Sequence, residues 1–216
     1  MNPIQILIRK ELKVEFRSLQ GLVASAMLSF MILMSLRFSV MDSIILQNSG
    51  ILWASILLTG LGLVTHISTR ESERGTVDLL KLSPITRYQL FLGRMVGSLV
   101  LLWILSTITL VIYVILFGNP FAENLLLAYL IVLIGCIGLS AVGTLAASSA
   151  TPLHGGWMIT SLFAIPILLF TVIEAAIRST DSLITGSSDF ELAFMLLVMY
   201  NVVFVTGGAW LSEISD

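Results

Sequence analysis

Two histidines and one cysteine are the side chains of this sequence best suited to bind a metal or act as a base or nucleophile. Cys136 lies within an apolar run, where inert packing is the expected role, and a single thiol cannot form an internal disulfide. His66 ends one apolar run, whereas His154 stands in a short polar stretch. Each could be a ligand or a pH sensor, but a packing role at a membrane surface suits both.

A carboxylate and a guanidinium follow the fifth apolar run. Glu174 precedes Arg178 by four residues, the spacing of an ion pair on a helix. The alternative for Glu174 is a carboxylate that takes part in transport, because ionisable groups near a membrane interior often mark an ion path. Pro166 lies in the same run, where it should kink a helix. The kink suits a moving gate but is also found in static bundles.

The sequence contains no phosphate-binding G-x-x-x-x-G-K-[ST] motif and no H-E-x-x-H zinc motif. Nearly every carboxylate and both histidines lie at the ends of apolar runs, so partners for nucleophilic or acid–base catalysis are not expected to meet. The chain is therefore not expected to be an enzyme or to hydrolyse ATP. Since the runs also lack the ionisable groups of an ion-coupled carrier, an energy source on another chain is expected.

Composition indicates a membrane protein. The 216 residues are 57% hydrophobic and 11% charged, with a mean hydropathy of +1.02, whereas soluble domains carry about 25% charged residues. A crossing helix needs about 20 apolar residues. Six segments meet this requirement within one membrane domain that comprises residues 1–216. The predicted spans are Leu19–Leu36, Ile44–Thr65, Met95–Phe117, Leu125–Ser149, Gly155–Ile173 and Leu192–Leu211.

Basic residues predict the orientation of these spans, because loops rich in Lys and Arg remain in the cytoplasm. Nine basic residues precede the first span or lie between the second and third, whereas only Arg37 and Arg178 fall on the other side. Both termini are thus predicted to be cytoplasmic. The large cytoplasmic loop then covers residues 69–94, and the longest outer connection runs from Arg178 to Glu191.

The cytoplasmic loop combines charged residues with an apolar cluster. Gly75 can open a turn, Thr76 can cap a short helix and Ser83-Pro84 can end it. The leucines of this helix either pack under the bundle or form a ridge that enters a groove of a cytoplasmic partner. The residues predicted to couple the chain to such a partner are Glu71, Glu73, Gly75, Thr76, Asp78, Leu79, Leu80 and Pro84.

Two further segments have a predicted role in packing. Residues 2–18 form a helix whose four basic residues share one face, with Glu11 and Glu15 opposite; it either lies at the headgroups or bridges to a partner. Small residues recur in the fourth span, including Gly135, Gly138 and Gly143. They fit packing within the chain better than a subunit interface.

The segment Glu73–Pro84, ERGTVDLLKLSP, resembles the E-x-G-[ST]-x-[ED]-x-L-L-x-x-P motif of exporter-type ABC permeases, which approaches the ATPase. Further similarity is to the CcmB family of cytochrome c maturation permeases, also called haem exporter protein B. It includes the lead-in 9–17, Ile51–Trp53, Gly143–Ala147 and the stretch from Pro166 to Ala175. Where the family often has basic residues between the fourth and fifth spans, this sequence has Thr151–His154.

The resemblance implies an all-α, six-helix ABC permease bundle with an N-terminal interfacial helix and a short cytoplasmic coupling helix. It also implies a homodimer in the cytoplasmic membrane, with a CcmA-like ATPase and CcmC-like and CcmE-like haem-handling proteins as partners. ATP would bind the ATPase, haem would be the substrate, and no cofactor, metal or nucleic acid would bind this chain. A non-transporting assembly subunit and a permease for another substrate remain open alternatives.

Overall fold

The computed structural model describes residues 3–39, 49–73, 86–118, 120–121, 124–150, 172–185 and 190–214. Seven α-helices are formed by these residues, and none of the described backbone is a β-strand. In chain order, they are α1 (Pro3–Ser18), α2 (Gln20–Ser39), α3 (Gly50–Glu73), α4 (Arg87–Phe117), α5 (Leu125–Ala150), α6 (Glu174–Thr185) and α7 (Phe190–Ile214).

A single residue separates α1 from α2. Leu19 has a φ of 49°, in the left-handed region that L-residues other than glycine rarely adopt. Its amide donates to the Glu15 carbonyl (2.7 Å), and its carbonyl accepts from the Val23 amide (2.9 Å). These bonds leave few backbone groups unsatisfied at the junction. Helix α1, which precedes this junction, packs mainly against α4 and makes few contacts with α2.

The long helix α4 has defined caps at both ends. Thr86 Oγ1 accepts a hydrogen bond from the Gln89 amide, and Gln89 Oε1 accepts one from the Thr86 amide, each at 3.4 Å. This reciprocal capping box explains why the helix begins at Arg87. At the other end, Gly118 has a φ of 79° and its amide donates to the Val114 carbonyl. The predicted third span began too late, at Met95, because the first turns of α4 are polar.

The core forms around α4, which packs against α1, α2, α3, α5 and α7. Leu101, Leu102 and Tyr113 of α4 are almost completely buried. Within this apolar interior, Ser29 Oγ lies 3.1 Å from Ser55 Oγ and 2.9 Å from Thr109 Oγ1. The three hydroxyls thereby connect α2, α3 and α4, as expected where lipid offers no alternative hydrogen-bond partners.

Glycines of α5 lie where neighbouring side chains approach the helix most closely. A methyl group on Gly135 would overlap the Trp53 ring, and one on Gly138 would overlap Asn201 Oδ1. On Gly143 it would lie 3.1 Å from Val64 Cγ1. The prediction that these small residues pack within the chain is confirmed. Cys136, between them, is a free and buried thiol, as expected.

Within the described residues, four helical segments are long and apolar enough to cross a membrane, which confirms the first, third, fourth and sixth predicted spans as helices. They are Gln20–Ser39, Tyr88–Phe117, Leu125–Leu145 and Phe190–Trp210. The described apolar part of α3, Gly50–Val64, is shorter, and the predicted second span begins in residues 44–48, which are not described. Of the predicted fifth span only residues 172–173 are described, so Pro166 also lies outside the described residues.

The predicted outer connection from Arg178 to Glu191 is helical as far as Thr185. Its Ser, Thr and Asp residues are typical of a loop, but in α6 Ser179, Thr180 and Ser182 are buried, as are Ala175 and Ala176. Val172 and Ile173 precede this helix in a π-helical turn. Glu174, which was predicted just beyond the fifth span, is the first residue of α6.

Candidate functional site

The candidate site lies where residues 74–85 join α3 to α4, which we call the loop end of the bundle. Glu71 and Glu73 are in the last turn of α3. The other predicted coupling residues, Gly75, Thr76, Asp78, Leu79, Leu80 and Pro84, lie outside the described part of the chain. The short coupling helix thus remains a prediction. The described flanks of the loop show what holds its two ends.

On the α4 side, the helix that follows the loop packs against α1. Leu7 of α1 is buried, and a methyl group on Gly93 would lie 2.9 Å from Leu7 Cβ and 3.0 Å from Leu7 Cδ1. Such a distance is too short for two carbon atoms, so only glycine permits this approach. Gly93 follows the loop within two turns of α4, so α1 packs directly against the segment that leaves the loop.

On the α3 side, a carboxylate and an imidazole meet over a glycine. A methyl group on Gly21 of α2 would lie 2.5 Å from Glu15 Oε1 of α1 and 2.8 Å from His66 Nδ1 of α3. Glu15 Oε1 and His66 Nδ1 are therefore no farther apart than the sum of their distances from this methyl position. Glu15 is 3% exposed, and His66 is partly buried. A charged group of α1 and a hydrogen-bonding group of α3 thus meet beside a glycine of α2.

Together these contacts make α1 a clamp, by which we mean the Leu7–Gly93 contact and the Glu15–Gly21–His66 cluster. One contact lies after the loop in sequence, and the other lies before it. Because α1 packs against α4 and its Glu15 approaches His66 of α3, a displacement that moves α3 relative to α4 should alter one of these two arrangements. The sequence predicted Glu15 on the face opposite the basic residues but did not predict its proximity to His66.

The opposite end of the bundle has a second polar cluster, which we call the latch: Ser49, Trp53, Ile177, Thr180 and Asp181. The Ser49 amide donates to Asp181 Oδ1 (3.0 Å), and Ser49 Oγ donates to the Ile177 carbonyl (3.2 Å). Trp53 Nε1 donates to Thr180 Oγ1 (3.0 Å). These bonds fix α6 to the first turn of α3. An acidic side chain at a helix N-terminus is also favoured by the helix dipole.

The latch was missed in the sequence because its two halves are about 130 residues apart. The only local signal was Ser49-Gly50 before an apolar run, which is a helix-start pattern. By contrast, the predicted ion pair is confirmed: Arg178 Nη2 donates to Glu174 Oε1 at 2.5 Å, with both side chains largely exposed. Glu174 is accordingly a surface residue of α6. His154 lies outside the described residues.

The chain matches the sequence profile of the family described as "CcmB protein" over residues 3–211. It belongs to the CcmB family. The chain is also 33% identical, over 119 residues, to the "Probable multidrug ABC transporter permease YbhR" of Escherichia coli K12 and to the protein of the same name in strain O157:H7. That match covers 55% of this chain and 32% of each relative, so the matched part is about a third of their length.

Membership of the CcmB family agrees with the apolar helices described above. Both indicate a multi-pass membrane protein, and the family implies a permease subunit of an ABC transporter. In such a transporter the membrane subunit is the component without the ATPase role, and an ATPase partner is implied. The residues that the family match spans include the clamp, the loop and the latch.

Proposed function

We propose that this chain couples ATP hydrolysis on a separate CcmA-like ATPase to rearrangement of the membrane bundle, through the loop of residues 69–94. The observation that carries the proposal is the clamp: α1 packs against α4 through Leu7 and Gly93, after residues 74–85, and its Glu15 approaches His66 of α3, before them. Force applied to the loop by an ATPase would reach α2 and α3 through Glu15 and His66. It would reach α4 through Leu7 and Gly93.

The loop itself supplies the proposed docking surface. In the sequence, the apolar residues Leu79 and Leu80 follow the acidic residues Glu71, Glu73 and Asp78, and the two leucines are the proposed apolar ridge. An apolar helix face that enters a groove is a common mode of protein recognition. The ridge therefore docks on the ATPase while the clamp relays the motion.

Co-purification with the ATPase tests this docking. Leu79→Asp should leave the chain inserted in the membrane but abolish co-purification, because a carboxylate cannot be buried in an apolar groove without a partner. Ser39→Asp is the matched control, since Ser39 is exposed at the opposite end of α2. If the Leu79→Asp chain retained as much ATPase as the control, the proposed docking surface would be wrong.

For the substrate, the CcmB family supports haem delivery in c-type cytochrome biogenesis. The proposed assembly is a homodimer of this chain in the cytoplasmic membrane, with both termini cytoplasmic. CcmC-like and CcmE-like proteins are its proposed partners. If haem crosses the membrane through this chain, it should accumulate in sealed inverted vesicles in an ATP-dependent manner. If haem does not accumulate although ATP is hydrolysed, the chain is the energy-coupling subunit of an assembly complex that releases a haem chaperone.

Haem ligation by the chain itself is not part of this proposal. A haem site needs an axial ligand such as His, and His66 lies against Glu15 and Gly21 at the loop end. The purified chain should therefore show no haem absorbance band that depends on His66 or His154. A band that disappears with His66→Gln or His154→Gln would contradict this expectation.

A permease for another exported molecule is the second candidate, favoured by the similarity to a relative named as a multidrug permease. The same vesicles distinguish the two functions. Accumulation of a cationic dye, with no accumulation of haem, would support the second candidate.

A further inference from the structure

Three cations of α1 lie on one exposed face, which we call the basic face: Arg9, Lys13 and Arg17. They are four residues apart, so at about 100° per residue they fall within a sector of about 80°. All three side chains are exposed. Lys10 lies outside this sector and is partly buried.

The basic face points away from the bundle. Leu7 and Glu15 are the buried residues among the described side chains of α1, and the middle of their sector is about 160° from the middle of the basic face. The acidic side chain of Glu15 is therefore on the side that packs against the other helices. Contact with the bundle holds α1 in place and leaves the three cations presented outward.

Exposed apolar residues begin beside the basic face and continue along α2. Phe16 is 49% exposed, although it is a large aromatic residue, and it is next to Arg17 in sequence. Leu19 at the junction and Val23 and Met27 of α2 are also exposed and extend this apolar stripe. Since α2 is one of the helices able to cross a membrane, this stripe runs from the hydrocarbon region to the basic face.

We infer that the basic face binds the anionic phospholipid headgroups of the leaflet at the loop end. The cations and Phe16 form the pattern of an interfacial helix, in which an aromatic ring enters the acyl boundary and basic groups reach the phosphates. An acidic protein surface would match the cations but not the apolar stripe, which adjoins them and continues into lipid. Anionic lipid therefore satisfies both parts of the surface.

This binding gives α1 a second anchor. The clamp attaches the buried side of α1 to the flanks of the loop, and lipid attaches its exposed side to the membrane. Basic residues near an anionic surface act approximately additively, so three of them should favour phosphatidylglycerol over phosphatidylcholine by about a hundredfold. The preference should weaken at about 1 M salt, where charges are screened over about 3 Å.

The test uses the full chain without any ATPase, so its result is independent of the proposed coupling. A nitrobenzoxadiazole dye is attached at Gln5→Cys, an exposed position beside the basic face, in a Cys136→Ala background. Dioleoylphosphatidylglycerol or dioleoylphosphatidylcholine is titrated into the detergent micelles. The lipid fraction at half of the fluorescence change measures binding. The unmodified basic face should respond to phosphatidylglycerol and, at the same lipid fractions, hardly to phosphatidylcholine.

The triple variant Arg9→Gln, Lys13→Gln, Arg17→Gln should raise the half-response fraction of phosphatidylglycerol by about a hundredfold. Arg178→Gln, which removes an exposed cation of α6, is the matched control and should leave it unchanged. The variant Arg9→Lys, Arg17→Lys keeps the charges and should bind normally. A rise below tenfold in the triple variant would overturn the inference, as would an equal response to inorganic phosphate.

If the triple variant did not fold, the salt dependence of the unsubstituted protein would still test the inference, because salt screens the cations of its basic face. With that protein, about 1 M salt should raise the half-response fraction of phosphatidylglycerol at least tenfold. A half-response that does not depend on salt would contradict binding through the three cations.

Discussion

Single polar residues determine how the ends of this bundle are held together. Asp181 accepts a hydrogen bond from the Ser49 amide at the start of α3, where a carboxylate also meets the positive end of the helix dipole. Glu174 instead pairs with Arg178 on the surface of α6. Two carboxylates of one helix thus have different structural importance, because only one of them satisfies the backbone of another helix.

Asp181→Ala should lower the stability of the purified chain by about 1 kcal/mol, the usual cost of losing a helix cap. Glu174→Ala should change it by less, because an exposed ion pair contributes little. Thermal unfolding in detergent, followed by tryptophan fluorescence, measures both. If Glu174→Ala lowered the melting temperature more than Asp181→Ala, the structural role assigned to the latch would be incorrect.

Glycine residues set the distance between α5 and its neighbours. Gly138→Ala would force a methyl group against Asn201 Oδ1 and against Val172 Cγ2, which lies 2.9 Å from the methyl position. Overpacking of this kind costs about 1–3 kcal/mol. Gly207→Ala is the control, because nothing lies within 4 Å of its methyl position. A thermal shift no larger for Gly138→Ala than for Gly207→Ala would show that α5 and α7 are not in close contact.

At the scale of elements, α4 is the helix on which the others depend, and its beginning is set by Thr86. Thr86→Ala should remove the cap of α4 and destabilise its first turn by about 1 kcal/mol. Amide hydrogen exchange should therefore be faster at the start of α4, in residues 87–90. Thr206→Ala, in the middle of α7, should leave that exchange unchanged, since Thr206 Oγ1 donates only to carbonyls of its own helix. Equal exchange in the two variants would argue against the capping box.

Helices were predictable where long apolar runs end at polar residues. The predicted fourth span, Leu125–Ser149, nearly coincides with α5. The polar start of α4 was not found from hydropathy, although Thr86 and Gln89 carry the capping-box spacing. The part of α6 from Arg178 onward was predicted as a connection because it is rich in hydroxyl and carboxylate groups. Two of these groups find a partner in Ser49, just before α3, and such long-range partners cannot be inferred from local composition.

The candidate site was only partly predictable for the same reason. A helical wheel placed Glu15 opposite the cations of α1, which agrees with its burial. Its meeting with His66 depends on how α1, α2 and α3 pack, and the enabling residue, Gly21, carries no signal of its own. The sequence motif of the loop predicted where an ATPase would dock but not which helix holds the flanks of the loop.

At the scale of the whole molecule, the bundle has a polar cluster at each end and an apolar core between them. The clamp at the loop end connects α1 to α2, α3 and α4, and the latch at the opposite end connects α3 to α6. Helix α3 takes part in both clusters. Motion that begins at the loop can therefore reach the opposite end through one continuous helix, which fits a permease that is moved by a separate ATPase.

The coupling claim is tested most directly by ATP hydrolysis in the reconstituted complex with the ATPase. Gly21→Ala places a methyl group against Glu15 and His66 but leaves the loop residues unchanged, whereas Gly62→Ala adds a methyl group to α3 where nothing lies within 4 Å. With Gly21→Ala, the ATPase should still co-purify but coupled hydrolysis should fall by roughly tenfold, within the range of typical coupling free energies. Gly62→Ala should hydrolyse ATP normally. Hydrolysis and transport at the unsubstituted level with Gly21→Ala would contradict the relay through the clamp.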